Sequence, residues 1–232
     1  MARPTNLGEL KTRCRQRADM ENSGFVDDSE LVVYINESLA ELYDLLVLKY
    51  GEDYFTNPKP YELSIDGSKD VYNLPRDFYK ARGVDLIIGA KEAISLRQFM
   101  FSERNKYSNS YLYTWGQSGA SSARYRIIGR KIWFIPSATS AKNIQIFYIP
   151  HAPVLEDDAD EFDAINGWEQ YIIVDTAIKM LSKEESDISA LSLEKANLIK
   201  RINSSARNRD AGRSQRVSDV SQNNSDYLDG IN

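Results

Sequence analysis

Apolar residues recur at three- and four-residue spacing toward both ends of the chain, while its middle carries short runs rich in β-branched and aromatic residues. Near the start, Leu7, Leu10, Cys14 and Ala18 share one face of a helix predicted over residues 6–20, and Lys11, Arg13, Arg15 and Arg17 fall mostly elsewhere around it. A loop from Glu21 to Phe25 follows. Asp27 and Glu30 then have the spacing of an N-terminal capping pair. The stripe Leu31, Tyr34, Ile35, Leu39, Leu42 and Leu46 predicts a longer helix that fades near Tyr50 and Gly51. Neither helix can bury its stripe alone, so the two must pack on each other or on a sheet.

From about residue 54 to 153 the pattern reads as strands. Tyr61–Ile65 ends at Asp66-Gly67, a hairpin-type turn signal, and Val71–Leu74 follows until Pro75 stops it. Ala81–Ile88 is a further strand. Tyr125–Ile128, a turn at Gly129-Arg130 and Lys131–Ile135 make the clearest hairpin, and Asn143–Ile149 is the next strand. No helical crossovers separate these strands, which favours an antiparallel sandwich or small barrel over a parallel sheet. Helices return at Asn166, where Asn166 and Glu169 are spaced as a cap and its partner. Trp168, Tyr171, Ile172, Ile178 and Leu181 form one apolar face. Ile188, Leu191, Leu198, Ile199 and Ile202 form that of a last helix.

The expected fold class is therefore α+β. Residues 1–53 and 164–208 form a small helical bundle. Residues 54–163 form an antiparallel β domain with a loop insertion at 92–123, and residues 209–232 form an extended partner-binding tail.

Composition narrows the function by exclusion. Hydrophobic residues make up 42% of the 232 and charged residues 27%, which is the balance of a globular chain. No apolar run approaches the roughly 20 residues of a membrane span, and the N-terminus lacks a secretory pattern, so a soluble intracellular product is expected. Cys14 is the single cysteine and His151 the single histidine, which removes disulfides, cysteine-based zinc sites and most histidine-dependent catalysis. No catalytic, cofactor-binding or metal site is nominated. The net charge of -5 weighs against a dedicated nucleic-acid binder.

Four stretches remain as candidate sites. Glu156, Asp157, Asp158, Asp160, Glu161 and Asp163 form an acidic run without the ligand alternation or central glycine of a calcium loop, and a solvated loop is the simpler reading. Lys200, Arg201, Arg207, Arg209, Arg213 and Arg216 make the end of the last helix and the start of the tail basic, suited to an acidic protein surface, to a helix C-terminus with a soluble tail or, less readily, to DNA phosphates. The glycine- and serine-rich stretch after Trp115 lacks a phosphate-loop ending, but Tyr107, Tyr111, Tyr113 and Trp115 beside it make a candidate contact surface. Tyr227, Leu228 and Ile231 close a polar tail that cannot bury enough surface to fold alone, so they read as anchors for a partner groove.

The order of these parts resembles the head-to-tail adaptor, or connector, proteins of tailed bacteriophages. The resemblance rests on Leu10–Arg17, on Asp27-Asp-Ser-Glu-Leu-Val-Val-Tyr-Ile-Asn-Glu, on Tyr72-Asn-Leu-Pro-Arg-Asp-Phe-Tyr, on Tyr125–Pro136 and Ile146–Pro150, and on the C-terminal helical pair. It extends over about residues 5–205. It implies a homo-oligomeric ring, usually dodecameric, that joins the portal protein to tail or nozzle proteins in the virion neck. Genome DNA would only transit the lumen, with no membrane and no cofactor, and the protein would be made in the host cytoplasm. A tail-tube, nozzle or tail-completion protein is the alternative.

Overall fold

The computed structural model describes residues 5–50, 55–109, 111–116, 122–165 and 167–205. Its elements run β1 (Thr5–Asn6), α1 (Leu7–Arg17), α2 (Asp28–Tyr50), then strands β2 (Tyr61–Ile65), β3 (Val71–Asn73), β4 (Phe78–Gly89), β5 (Glu92–Ser95) and β6 (Arg97–Gln98). A 3-10 turn (Phe101–Glu103) and a one-turn helix α3 (Arg104–Tyr107) lead to β7 (Arg124–Ile128), β8 (Lys131–Ile135), β9 (Lys142–Pro150) and β10 (Glu161–Phe162). Helices α4 (Glu169–Lys183) and α5 (Ser189–Ser205) complete the order. The fold is α+β, as the alternation of patterns predicts.

The helical ends form as the sequence dictates. Asn6 caps α1 by accepting from the Glu9 amide at 2.7 Å, and Asp27 accepts from the Glu30 amide at 2.8 Å ahead of α2. The predicted α1 stripe of Leu7, Leu10, Cys14 and Ala18 is buried, as are Leu31, Ile35, Leu39, Leu42 and Leu46 of α2. Burial pushes the Cys14 thiol up to about 12, against the hydrogen bond from Thr176 and the charge of Arg13, which keeps it an inert core residue.

Helix α4 departs from the one-faced pattern. It lies against α1, α2 and α5, and every residue from Tyr171 to Ala177 is buried, Asp175 and Thr176 included. Over that stretch the three neighbouring helices leave no solvent face to keep polar. Its N-cap is Trp168, without a side-chain cap bond, and Asn166 lies outside the described residues.

The middle of the chain is a sandwich of two four-stranded sheets, ordered β2-β9-β4-β5 and β3-β8-β7-β6. Ile65, Val84, Ile144 and Ile146 from the first sheet meet Tyr125, Ile132 and Phe134 from the second in one hydrophobic cluster. The β7–β8 hairpin at Gly129-Arg130 forms as expected. The turn at Asp66-Gly67 does not make a hairpin. Strand β2 pairs with β9, while β3 pairs with β8 in the other sheet. The turn is a corner between sheets, held by Asp66 accepting from the Ser68 amide at 2.9 Å. Gly67 sits at φ +81°, where an added Cβ would lie 2.8 Å from the Ala138 carbonyl oxygen, so the corner requires glycine.

The stretch 92–123, expected as a loop insertion, also carries pairing. Strand β5 closes the first sheet against β4, and β6 runs parallel to β7 at the edge of the second, so the sandwich is mixed rather than wholly antiparallel. Leu96, 6% exposed, lies between the two strands where the chain changes sheet.

Helices and sandwich meet at the end of β9. Tyr148 faces the sandwich cluster, whereas Ile149 enters the helical one. The Tyr43 hydroxyl of α2 donates to the Pro150 carbonyl at 3.0 Å, and its ring packs edge-on to Phe55 at 4.9 Å.

Candidate assembly surfaces

The acidic run is a largely exposed loop, and it also seats the first turn of α1. Asp160 accepts from the Glu156 and Asp157 amides at 2.8 Å each, which closes a tight turn. Those two hydrogen bonds hold the Asp160 carboxyl below its usual range. The carbonyls of Asp160 and Asp158 then accept from the first amides of α1, those of Leu7 and Gly8, and β1 pairs with β10 beside them. Lys11 bonds Asp158 at 2.6 Å. Glu156, Asp157 and Glu161 are left exposed. No group of three or more histidine, cysteine, aspartate or glutamate side chains among the described residues is placed to hold a metal ion.

The aromatic candidates divide. The Tyr111 side chain is 94% exposed and presents its ring outward. Trp115 is committed inward: its indole N–H donates to the Pro136 carbonyl at 3.0 Å, and its ring lies 5.6 Å from Phe134. Tyr107 and Tyr113 pack edge-on at 4.9 Å, and the Arg124 guanidinium lies over Tyr107 at 5.3 Å. Met100, Phe101 and Leu112 add exposed apolar area to the same stretch of chain as Tyr111. His151, at the end of β9, is exposed and tilts against Tyr79.

Of the basic candidates, Lys200 and Arg201 are described: Lys200 is exposed, and the Arg201 guanidinium lies over the Trp168 ring at 5.4 Å. Arg207, Arg209, Arg213, Arg216, Tyr227, Leu228 and Ile231 lie outside the described residues.

The structure adds a polar cluster that periodicity did not reveal. Asp175, 2% exposed on α4, accepts from Lys195 of α5 at 2.6 Å and from Ser38 of α2 at 2.7 Å, with Lys179 3.1 Å away. Lys195 also reaches Glu41 at 3.1 Å, and the Tyr171 hydroxyl donates to the same carboxylate at 2.9 Å. Burial pushes the Asp175 carboxyl up, but the bonds from Lys195 and Ser38 and the charge of Lys179 outweigh it, and the carboxyl lies below its usual range. Burial likewise opposes the charge on Lys195, yet its bonds to Asp175 and Glu41 hold the ammonium above its usual range. The cluster ties α2, α4 and α5 together, so it fixes how the helices sit rather than offering a reactive group. Its signal in the sequence is one carboxylate inside the apolar run Tyr171–Ile178.

A groove of about 490 Å³ runs between α1, α4 and α5, floored by Ile173 and Val174. Its rim is internally neutralised: Arg17 pairs with Glu194, and Arg13 lies 3.7 Å from Glu169. No described helix is long and apolar enough to cross a membrane.

No curated protein matches the chain. The profile of the SU10 adaptor protein family matches residues 5–219, a span that takes in both helical ends and the sandwich between them. On that match the chain belongs to the SU10 adaptor protein family, the head-to-tail adaptors of phages.

Proposed function

We propose that this chain acts as a structural subunit of the phage neck, assembling as a ring between the portal and the tail or nozzle proteins, with DNA passing through its lumen and no catalytic step of its own. The observation that carries the reading is the family match over residues 5–219, since it takes in the whole helix–sandwich–helix order and not a single motif. The helical unit (1–53 and 164–208) would supply the wall, the sandwich (54–163) the face toward the tail, and residues 209–232 the clasp on portal or neighbour. Tyr111, with its outward ring, and the anchors Tyr227, Leu228 and Ile231 are the contact residues proposed for those faces.

The basic start of the tail suits the acids that the N-terminal seat leaves exposed. Arg207 and Arg209 of one copy would meet Glu156, Asp157 and Glu161 of the next, a contact that salt screens. Electron microscopy of the purified chain with and without its portal tests the reading. Rings seated on the portal are expected. A chain that stays monomeric and never joins a portal would sink it. Charge reversal at Arg207 and Arg209 is expected to weaken assembly, and unchanged assembly would count against this pairing.

A further inference from the structure

We propose that the sheet β2-β9-β4-β5 continues from one copy of the chain into the next, with β5 of one subunit adding to the open edge of β2 of its neighbour. This rests on the ring reading and names the surface that would close the ring. The four strands alternate in direction through three antiparallel pairings, so β2 and β5 run opposite ways. An even number of alternating strands lets successive copies join antiparallel without a break. The contact is also head-to-tail, the kind that generates a ring when its rotation closes.

The backbone is set for it. The Leu96 amide donates to the Val84 carbonyl at 2.8 Å, which makes Val84/Leu96 a hydrogen-bonded pair and, by alternation, Leu86/Ile94 the next. The N–H and C=O groups of Ala93 and Ser95 therefore point to the open edge. Carried across β4 and β9 through the pairs Asp85↔Gln145 and Ile144↔Leu63, the same alternation turns Glu62 and Ser64 of β2 to the opposite open edge. Among the described residues no backbone hydrogen bond reaches either edge from outside the sheet.

One register satisfies both edges. Ala93 opposite Ser64 and Ser95 opposite Glu62 would make two hydrogen-bonded pairs and bring Ile94 opposite Leu63. Both of these are half-buried at the rims of the sheet, with Leu63 packed on the sandwich cluster, and each would cover the other. The same register sets exposed Lys91 opposite Asp66, opposite charges at the end of the new ladder. Left open, two such edges invite uncontrolled pairing, and neither strand carries an inward charge or a central proline against it.

Cross-linking tests the register directly. Within one chain Ser64 and Ala93 are three strand spacings apart, about 14 Å, beyond the ~7 Å reach of a disulfide. A full-length Ser64→Cys/Ala93→Cys chain, assembled on its portal and oxidised, is expected to give a ladder of covalent multimers on a non-reducing gel. Each single variant should stop at a dimer or below, as should the mismatched pair Glu62→Cys/Ala93→Cys. Rings visible by microscopy without a ladder would overturn the edge pairing and leave the ring reading intact. Absence of rings from the unsubstituted chain would overturn both. Ala93→Pro, which removes only an N–H facing the open edge, should keep the monomer's melting temperature while abolishing rings, and rings from it would also overturn the pairing.

Discussion

Asn36 and Leu155 are bound in both directions: the side-chain amide of Asn36 donates to the Leu155 carbonyl at 2.9 Å, and the Leu155 amide donates back to its Oδ1 at 2.8 Å. Asn36 is the asparagine of the Ile-Asn-Glu stretch on α2, and Leu155 opens the acidic seat of α1. A side chain acting as a strand edge thus fastens the link that leaves β9 onto the helical core. Asn36→Ala would leave the backbone of a buried residue without its partners, at a cost of about 2–4 kcal/mol. Urea unfolding should move to a lower midpoint with an unchanged slope.

Asp175 should govern stability at low pH. A carboxylate held below its usual range stabilises the fold fully above the unfolded value, near pH ~4, and loses that contribution as pH falls through the lower folded value. Asp175→Asn is expected to be less stable at neutral pH and to show a shallower acid limb in thermal melts. Asp175→Ala leaves Lys195 and Lys179 without their buried acceptor and should cost about 3–5 kcal/mol.

Tyr111 and Trp115 should separate contact from packing. Tyr111→Ser changes an almost fully exposed ring, so stability should stay within about 0.5 kcal/mol while binding to the partner ring falls. Trp115→Ala removes the packing on Phe134 and the bond to Pro136, with an expected loss of about 2 kcal/mol. Thermal melts and pull-downs on the two variants read these effects independently.

Truncation after residue 208 should spare the fold and abolish assembly. The described core ends at α5, where Leu198 and Ile202 are buried, and both remain in the shortened chain. An unchanged melting temperature with no incorporation into necks is expected, and replacing Tyr227, Leu228 and Ile231 by serine should reproduce it. A truncated chain that still enters necks would remove the tail from the mechanism.

The family was legible in the sequence because it depended on absence and order. One histidine and one cysteine left little chemistry to nominate, and the order of patterns pointed to the adaptors. The polar cluster was not legible, since Asp175 gains its meaning only from Lys195, 20 residues away, and from Ser38, 137 residues away. The packing of Trp115 was not legible for a related reason: its contact with Phe134 depends on a strand 19 residues away.

Local pattern determined the helices and most strands by itself. The stripes of α1 and α2, the Asp27 cap and the Gly129 hairpin depend on neighbours within a few residues, where spacing and side-chain chemistry act directly. Only the tertiary structure decided which strands pair. Asp66-Gly67 is chemically competent to turn back into a hairpin, yet β2 and β3 pair in different sheets because β9 and β8 offer them longer, better-buried partners. It also decided that α4 would be enclosed, and that the acidic run would hold the first turn of α1. Such outcomes depend on contacts between residues far apart in the chain, which no window of the sequence contains.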